Sequence, residues 1–124
     1  MAVNQITNQS DTITPQLFGS PATALNDTFN TLGGNDHVDA GLGDDSIRGG
    51  IGNDTIFGGG PFGLVSGGND KLWGEDGNDV LEGQGGDDIL DSGDDNDILR
   101  GGLGQDQCLR QDGNDGTGRL ISDG

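Results

Sequence analysis

The sequence is poor in the side chains that build an ordinary protein core. Only 28% of its residues are hydrophobic and 4% are aromatic, whereas globular domains have an apolar share of about 45% or more. It has no apolar run of about 18 residues and no basic-then-apolar leader, so we expect neither membrane insertion nor a cleaved amino-terminal signal. Its 124 residues suffice for one small domain, and some interaction other than apolar burial must stabilise it.

Cysteine and basic residues are also scarce. A single cysteine, Cys108, excludes an intrachain disulfide. Five basic residues stand against 22 acidic ones, and the net charge of -17 disfavours binding to nucleic acid or to anionic membranes. Such a composition is typical of disorder, but the acids are almost all Asp, which favours turns and provides oxygen ligands for hard cations.

The Asp residues follow a fixed period. Most steps between them are nine residues and two are 16, which is nine plus seven. The series comprises Asp27, Asp36, Asp45, Asp54, Asp70, Asp79, Asp88, Asp97, Asp106 and Asp115, with a degenerate first copy at Asp11. Two positions after each Asp, the residue is apolar in nine of eleven copies. A disordered acidic linker does not keep such a phase, so the period indicates a repeat architecture.

The best copy is Gly49-Gly50-Ile51-Gly52-Asn53-Asp54-Thr55-Ile56-Phe57. With its variants it resembles the RTX, or hemolysin-type calcium-binding, family over residues 27–118 and more weakly over residues 10–26. The resemblance implies that Asp carboxylates and carbonyl oxygens of two stacked loops hold each Ca²⁺ ion.

The spacing alone predicts an all-β fold. The three residues around each apolar position form a short strand with the middle side chain inward, and the other six, rich in Gly, turn the chain. Two repeats complete an 18-residue coil, and coils stack with parallel strands about 4.8 Å apart. We therefore predict a parallel β-roll, a right-handed β-solenoid, over residues 27–118, with an amino-terminal segment at 1–26, an insertion at about 58–66 and a tail at 119–124.

We expect the ten Asp residues from Asp27 to Asp115 to ligate calcium. One side of the roll carries Asp36, Asp54, Asp79, Asp97 and Asp115, and the other carries Asp27, Asp45, Asp70, Asp88 and Asp106. Four adjacent pairs per side predict about eight ions, whose charge of roughly +16 nearly balances the net charge of -17. Without metal the carboxylates repel one another, and we expect an unfolded chain.

Several copies depart from the pattern. Six residues replace glycine at the first two positions and one replaces it at the fourth: Thr31-Leu32, Ala40, Glu75, Gln84 and Ser92, and then Asp95. We expect calcium affinity to vary along the roll for this reason. The residue before each Asp is usually Asn and is interpreted as a turn former, with an indirect role in ligation as the alternative.

Other residues have open interpretations. Cys108 occupies an inward position and is expected to fill the core, the alternative being an intermolecular disulfide or a metal thiolate. His37 is expected to face solvent. The two insertions, Pro15 to Pro21 and Gly60 to Ser66, either cover the local core or, with Phe57 and Trp73, form a binding surface.

Two classes of function remain. The sequence lacks nucleotide-binding and hydrolase motifs, so we expect no enzyme and no small-molecule substrate. The first class is a secreted or cell-surface structural protein that associates through uncapped ends of the roll. The second is the repeat module of a type I secreted RTX cargo protein.

Overall fold

The computed structural model describes residues 9–13, 26–59 and 67–110. These residues form ten strands and no helix: β1 (Thr12–Ile13), β2 (Thr28–Asn30), β3 (His37–Asp39), β4 (Ser46–Ile51), β5 (Thr55–Gly59), β6 (Lys71–Asp76), β7 (Val80–Gly85), β8 (Ile89–Asp94), β9 (Ile98–Leu103) and β10 (Gln107–Leu109). No helix that could cross a membrane is found among them.

The strands alternate between two parallel sheets. One sheet has the order β1-β3-β5-β7-β9, and the other has the order β10-β8-β6-β4-β2. Each strand therefore pairs with the strand two places along the chain, and the two sheets remain separate. This is the parallel β-roll that the nonapeptide period predicts.

The register shows how the seven-residue insertions are accommodated. Val38 pairs with Ile56 across 18 residues, whereas Ile56 pairs with Leu81 across 25 residues. The pairing of Ile13 with Val38 also spans 25 residues. Both insertions thus lengthen one coil without changing the order of the strands. Residues 14–25 and 60–66 lie outside the described residues, as does the last copy around Asp115.

The strands are longer than the predicted three residues. β4 and the four strands from β6 to β9 each have six residues, because the ladder continues through the first three positions of the next repeat. Gly50, for example, pairs with Glu75, and Ile51 pairs with Asp76. Backbone pairing thus extends into the segment that the sequence pattern assigns to a turn.

The core is a single line of apolar side chains between the sheets. Its fully buried members come from the apolar position of each repeat: Val38, Ile47, Ile56, Leu72, Leu81, Leu90 and Leu99, all 0% exposed. Phe29 and Cys108 are partly buried and pack against this line. Cys108 therefore lies where the sequence pattern predicts a core filler.

Truncation of one core residue is expected to destabilise the roll strongly. Leu81→Ala should lower the free energy of unfolding by about 2–5 kcal/mol, because it removes buried methyl groups and leaves a cavity. The matched control is Ile51→Ala, since Ile51 is 68% exposed and should lose little. Denaturant unfolding in saturating calcium measures both, and equal losses would contradict the proposed line of core contacts.

Candidate calcium site

In the described part of the chain, each repeat Asp lies immediately before a strand, at the corner where the chain enters a sheet. Seven of these residues are buried, with exposures of 1–3%: Asp36, Asp45, Asp54, Asp70, Asp79, Asp88 and Asp97. Asp27 and Asp106 are partly buried, and Asp115 lies outside the described residues. The small apolar core contributes little stability with which to offset the cost of burying charge. The burial of seven carboxylates is therefore the main feature of the fold that needs a physical explanation.

One carboxylate oxygen of each repeat Asp from Asp36 to Asp106 joins neighbouring coils. The backbone N–H of Asp36 donates to Oδ1 of Asp54 at 2.8 Å, and that of Asp54 donates to Oδ1 of Asp79 at 2.8 Å. On the other side, Asp45 donates to Asp70 and Asp70 to Asp88, both at 2.8 Å. We call these two rows the inner ladders. Their order along each side is the one expected from the sequence.

The second carboxylate oxygen has no such partner. Within the described part of the chain, Oδ2 is buried and accepts no hydrogen bond in Asp36, Asp45, Asp54, Asp70, Asp79, Asp88 and Asp106. A buried charge is costly unless it is paired or coordinates a metal. A row of buried, singly satisfied carboxylates therefore requires a positive partner or protonation.

Burial shifts the protonation of the same groups. Desolvation raises the pKa of Asp70 to about 8 and that of Asp79 to about 7. It raises the pKa of Asp45, Asp54 and Asp88 to about 6. The hydrogen bond from the preceding coil lowers each value, and the charges of ladder neighbours raise it further. Without a cation, the folded chain thus favours neutral carboxyls.

Carbonyl oxygens of the next coil approach the orphaned oxygens. At Gly49, a hypothetical Cβ would lie under 3.0 Å from both Oδ2 of Asp54 and the carbonyl oxygen of Gly74. The equivalent point at Gly58 lies under 3.0 Å from Oδ2 of Asp70 and the carbonyl oxygen of Gly83. Both oxygens thus lie beside the glycine, where a side chain would not fit. We call the pair of oxygens formed by the Asp of one loop and a first-position carbonyl of the next coil a cradle.

The donor set fits a hard cation. Calcium takes six to eight oxygen ligands at about 2.3–2.6 Å, and these include carboxylates and backbone carbonyls. In residues 9–13, 26–59 and 67–110, no three His, Cys, Asp or Glu side chains gather as a metal site. A cation in a cradle would therefore take few carboxylate oxygens and complete its shell with backbone carbonyls and solvent.

A second pair of ladders runs outside the first. In residues 44–105 of the described chain, the residue before a repeat Asp donates its backbone N–H to the side-chain oxygen of its counterpart in the preceding coil. Asn53 donates to Asn35, and Asn78 donates to Asn53, both at 2.9 Å. On the other side the row is Asn26, Asp44, Asn69, Asp87 and Gln105. The sequence interpretation as turn formers missed this link between coils, although the regular spacing of Asn carried the signal.

The remaining side chains of interest lie on the outer faces of the sheets. His37 is exposed, as expected, and its ring contacts that of Phe57 with centroids 5.4 Å apart. The Arg48 guanidinium lies 4.7 Å from the Trp73 ring centre and pairs with Glu75 at 2.9 Å. The insertions that were considered as partners of Phe57 and Trp73 lie outside the described residues. Arg48 already contacts Trp73 within the roll.

The calcium-free chain is expected to gain β structure on acidification. Asp in an unfolded chain titrates near 3.8, whereas the folded values reach about 6 to about 8. The folded state therefore binds protons more tightly, so its stability rises as the pH falls and is lost as the pH rises through those folded values. Far-ultraviolet circular dichroism of the metal-depleted chain between pH about 8 and about 5 tests this. A signal that is flat, or stronger at the alkaline end, would contradict it.

Comparison with known proteins agrees with the site. The family model described as the RTX calcium-binding nonapeptide repeat matches four times, at residues 30–60, 65–99, 73–108 and 83–116. No curated protein and no solved structure matches the chain. RTX repeats bind Ca²⁺, and proteins that carry them are typically secreted. Because the matches cover more than half of the chain, it belongs to the RTX calcium-binding repeat family.

Proposed function

We propose that the chain is an extracellular structural protein that folds when it binds calcium and then associates end to end. The observation that carries the calcium part is the row of buried Oδ2 atoms in the inner ladders. Membership in a calcium-binding repeat family supports the same ion.

The ligands proposed are the ten repeat Asp residues from Asp27 to Asp115 together with carbonyl oxygens of the adjoining loops. In the described copies, the hydrogen bond to Oδ1 fixes the orientation of the carboxylate, and Oδ2 forms part of the cradle. When bound, calcium supplies the positive charge that the buried carboxylates lack. Ordering of two neighbouring loops and binding are then one process, as in other proteins whose metal site does not exist in the unfolded chain.

The count of about eight ions comes from eight neighbouring pairs of loops and from the charge balance of roughly +16 against -17. It assumes that all pairs are equivalent.

Secretion and assembly rest on different observations. Secretion is supported by the family, since RTX proteins are typically secreted. It is also supported by the carbonyl-rich donor set, which suits the calcium dissociation constants of about 10⁻⁴–10⁻³ M that extracellular modules have. Assembly is supported by the translational repeat, because every coil offers the next the same backbone and Asp contacts. A head-to-tail contact of that kind does not close on itself and produces a filament or layer. The absence of enzyme activity, of nucleic-acid binding and of membrane insertion remains a prediction.

Asp79→Asn should separate the two tasks of the carboxylate. The amide oxygen still accepts the N–H of Asp54, now 2.8 Å from Oδ1, but the negative charge is lost. We expect calcium to bind the affected loops about tenfold more weakly, or about 1.4 kcal/mol, while the chain still folds in excess calcium. Asp76→Asn, the same charge change at an exposed position, is the control. Isothermal titration calorimetry measures both, and equal effects would argue against a ligand role for Asp79.

A calcium titration tests the proposed function as a whole. Circular dichroism should show β structure appearing at millimolar calcium, but not with magnesium at the same ionic strength, because magnesium demands a smaller octahedral shell. Sedimentation velocity should then show association that increases with protein concentration. If no β structure forms, the calcium-folding proposal is wrong. If the folded chain stays monomeric, the assembly proposal is wrong and the secreted-cargo module is favoured instead.

A further inference from the structure

A groove crosses the outer face of the sheet that contains β4, β6 and β8. It has a volume of about 300 Å³ and is lined by Arg48, Trp73 and Gly93 and by four acidic residues, Glu75, Asp76, Asp91 and Asp94. None of these residues belongs to the core cluster or to the series of repeat Asp residues. The calcium function therefore does not account for the groove.

The pairing of β6 with β8 sets the shape of the groove. Trp73 pairs with Asp91, and three residues further along the strands Asp76 pairs with Asp94. Between them Gly93 pairs with Glu75 and provides no side chain, so the surface stays low there. The groove thus has an aromatic end and an acidic end that are about 10 Å apart along the strands.

The aromatic end already binds a cation of the chain itself. The Arg48 guanidinium lies 4.7 Å from the Trp73 ring centre, and its Nη1 donates to Oε1 of Glu75 at 2.9 Å. Trp is the aromatic side chain that attracts a cation most strongly. This contact indicates the chemistry that the groove selects, which is a basic group beside an aromatic ring and a carboxylate.

The acidic end has no such cation. Asp76 and Asp94 are both exposed and lie directly opposite each other on neighbouring strands, whose backbones are about 4.8 Å apart. Within the described residues, neither carboxylate forms an ion pair. Like charges that lie opposite each other destabilise a sheet, and the whole groove, with one basic and four acidic side chains, has a net charge of -3. A basic ligand would relieve this repulsion.

We propose that the groove binds a basic segment of a partner protein. An arginine or lysine side chain of the partner lies between Asp76 and Asp94, and the neighbouring part of the segment packs against Trp73. The charge of -3 calls for more than one basic group, and the groove is open along its length, as an extended chain requires. The site uses the folded roll of the proposed function but does not depend on end-to-end association.

Binding is tested with the full chain in saturating calcium at physiological ionic strength. The ligand is a fluorescein-labelled, arginine-rich peptide, and its control is the same peptide with uncharged citrulline in place of arginine. Fluorescence anisotropy should show binding of the arginine peptide alone. An unlabelled arginine peptide should also change the emission of Trp73, the sole tryptophan of the sequence. Binding that leaves this emission unchanged would place the peptide elsewhere and overturn the proposal.

Charge-removal variants separate the groove from the general field of an acidic protein. Asp76→Asn combined with Asp94→Asn should weaken binding roughly tenfold, since each exposed ion pair contributes up to about fivefold. The matched control is Asp44→Asn combined with Asp87→Asn. These two exposed residues precede β4 and β8, at the opposite ends of the strands, and Asn is the usual residue at their position in the repeat. Equal losses in the two double variants would overturn the proposal.

Removal of the internal cation should have the opposite effect. Arg48→Ala should strengthen peptide binding about threefold, because it frees the Trp73 ring and the Glu75 carboxylate. Arg100→Ala is the control, since Arg100 forms the same kind of ion pair with Glu82, at 2.6 Å, on the other sheet. Both variants change the net charge equally. A gain of the same size in both contradicts a role for the groove.

The remaining outcomes separate this inference from the proposed function. A chain that gains no β structure in calcium, as measured by circular dichroism, overturns the proposed function and the groove with it. A chain that folds but does not bind the arginine peptide overturns only this inference. If free arginine amide or spermidine binds as tightly as the peptide, the groove is a site for small cations, and the proposal of a partner protein is wrong.

Discussion

The structure depends on an aspartate whose two carboxylate oxygens have different tasks. Oδ1 accepts a backbone N–H from the preceding coil and fixes the spacing of the loops, as in the 2.8 Å contact between Asp54 and Asp79. The same hydrogen bond holds Oδ2 inside the corner, where water cannot solvate it. The contact that aligns the coils thus creates the charge that has to be neutralised. In the proposed function, folding and cation binding are coupled through this side chain, which is repeated along two rows.

Apolar packing contributes too little stability to replace this interaction. Each described repeat contributes one large inward side chain to the core cluster, while every ordered residue costs backbone entropy of about 1–2 kcal/mol. Bound metal commonly supplies the missing stability in small folds of this kind. Burial of the acids is therefore compatible with a stable roll only when protons or cations accompany it. At neutral pH, Asp54 and Asp88, with pKa values raised to about 6, are mostly ionised and need a cation, whereas Asp70, with a pKa of about 8, is mostly protonated until a cation displaces the proton.

Most of the architecture could be predicted because it follows from the regular spacing of residues in the sequence. The phase of Asp and apolar residues predicted the parallel coils, their order and the inward place of Cys108. What could not be predicted depends on distances between coils. The glycines were interpreted as turn formers, but at the first position they are needed for space, since Gly49 and Gly74 do not have a positive φ and a Cβ there would meet neighbouring oxygens. Conversely, Glu75 and Gln84 adopt φ 77 without being glycine, so the pattern overstated the need for glycine at the second position.

The second pair of ladders, formed by the residues before the repeat Asp residues, responds to dissolved salt in a different way from the inner ladders. On one side, Asp44 and Asp87 are separated by Asn69, so the two charges are two coils apart, or about 9.6 Å. The Debye length at physiological ionic strength is about 8 Å, and these exposed carboxylates are largely screened by mobile counterions. The inner carboxylates are one coil apart and out of contact with solvent, where such screening does not reach. Mobile counterions therefore reduce the repulsion between the exposed carboxylates of Asp44 and Asp87, but they cannot replace an ion that is bound between the loops.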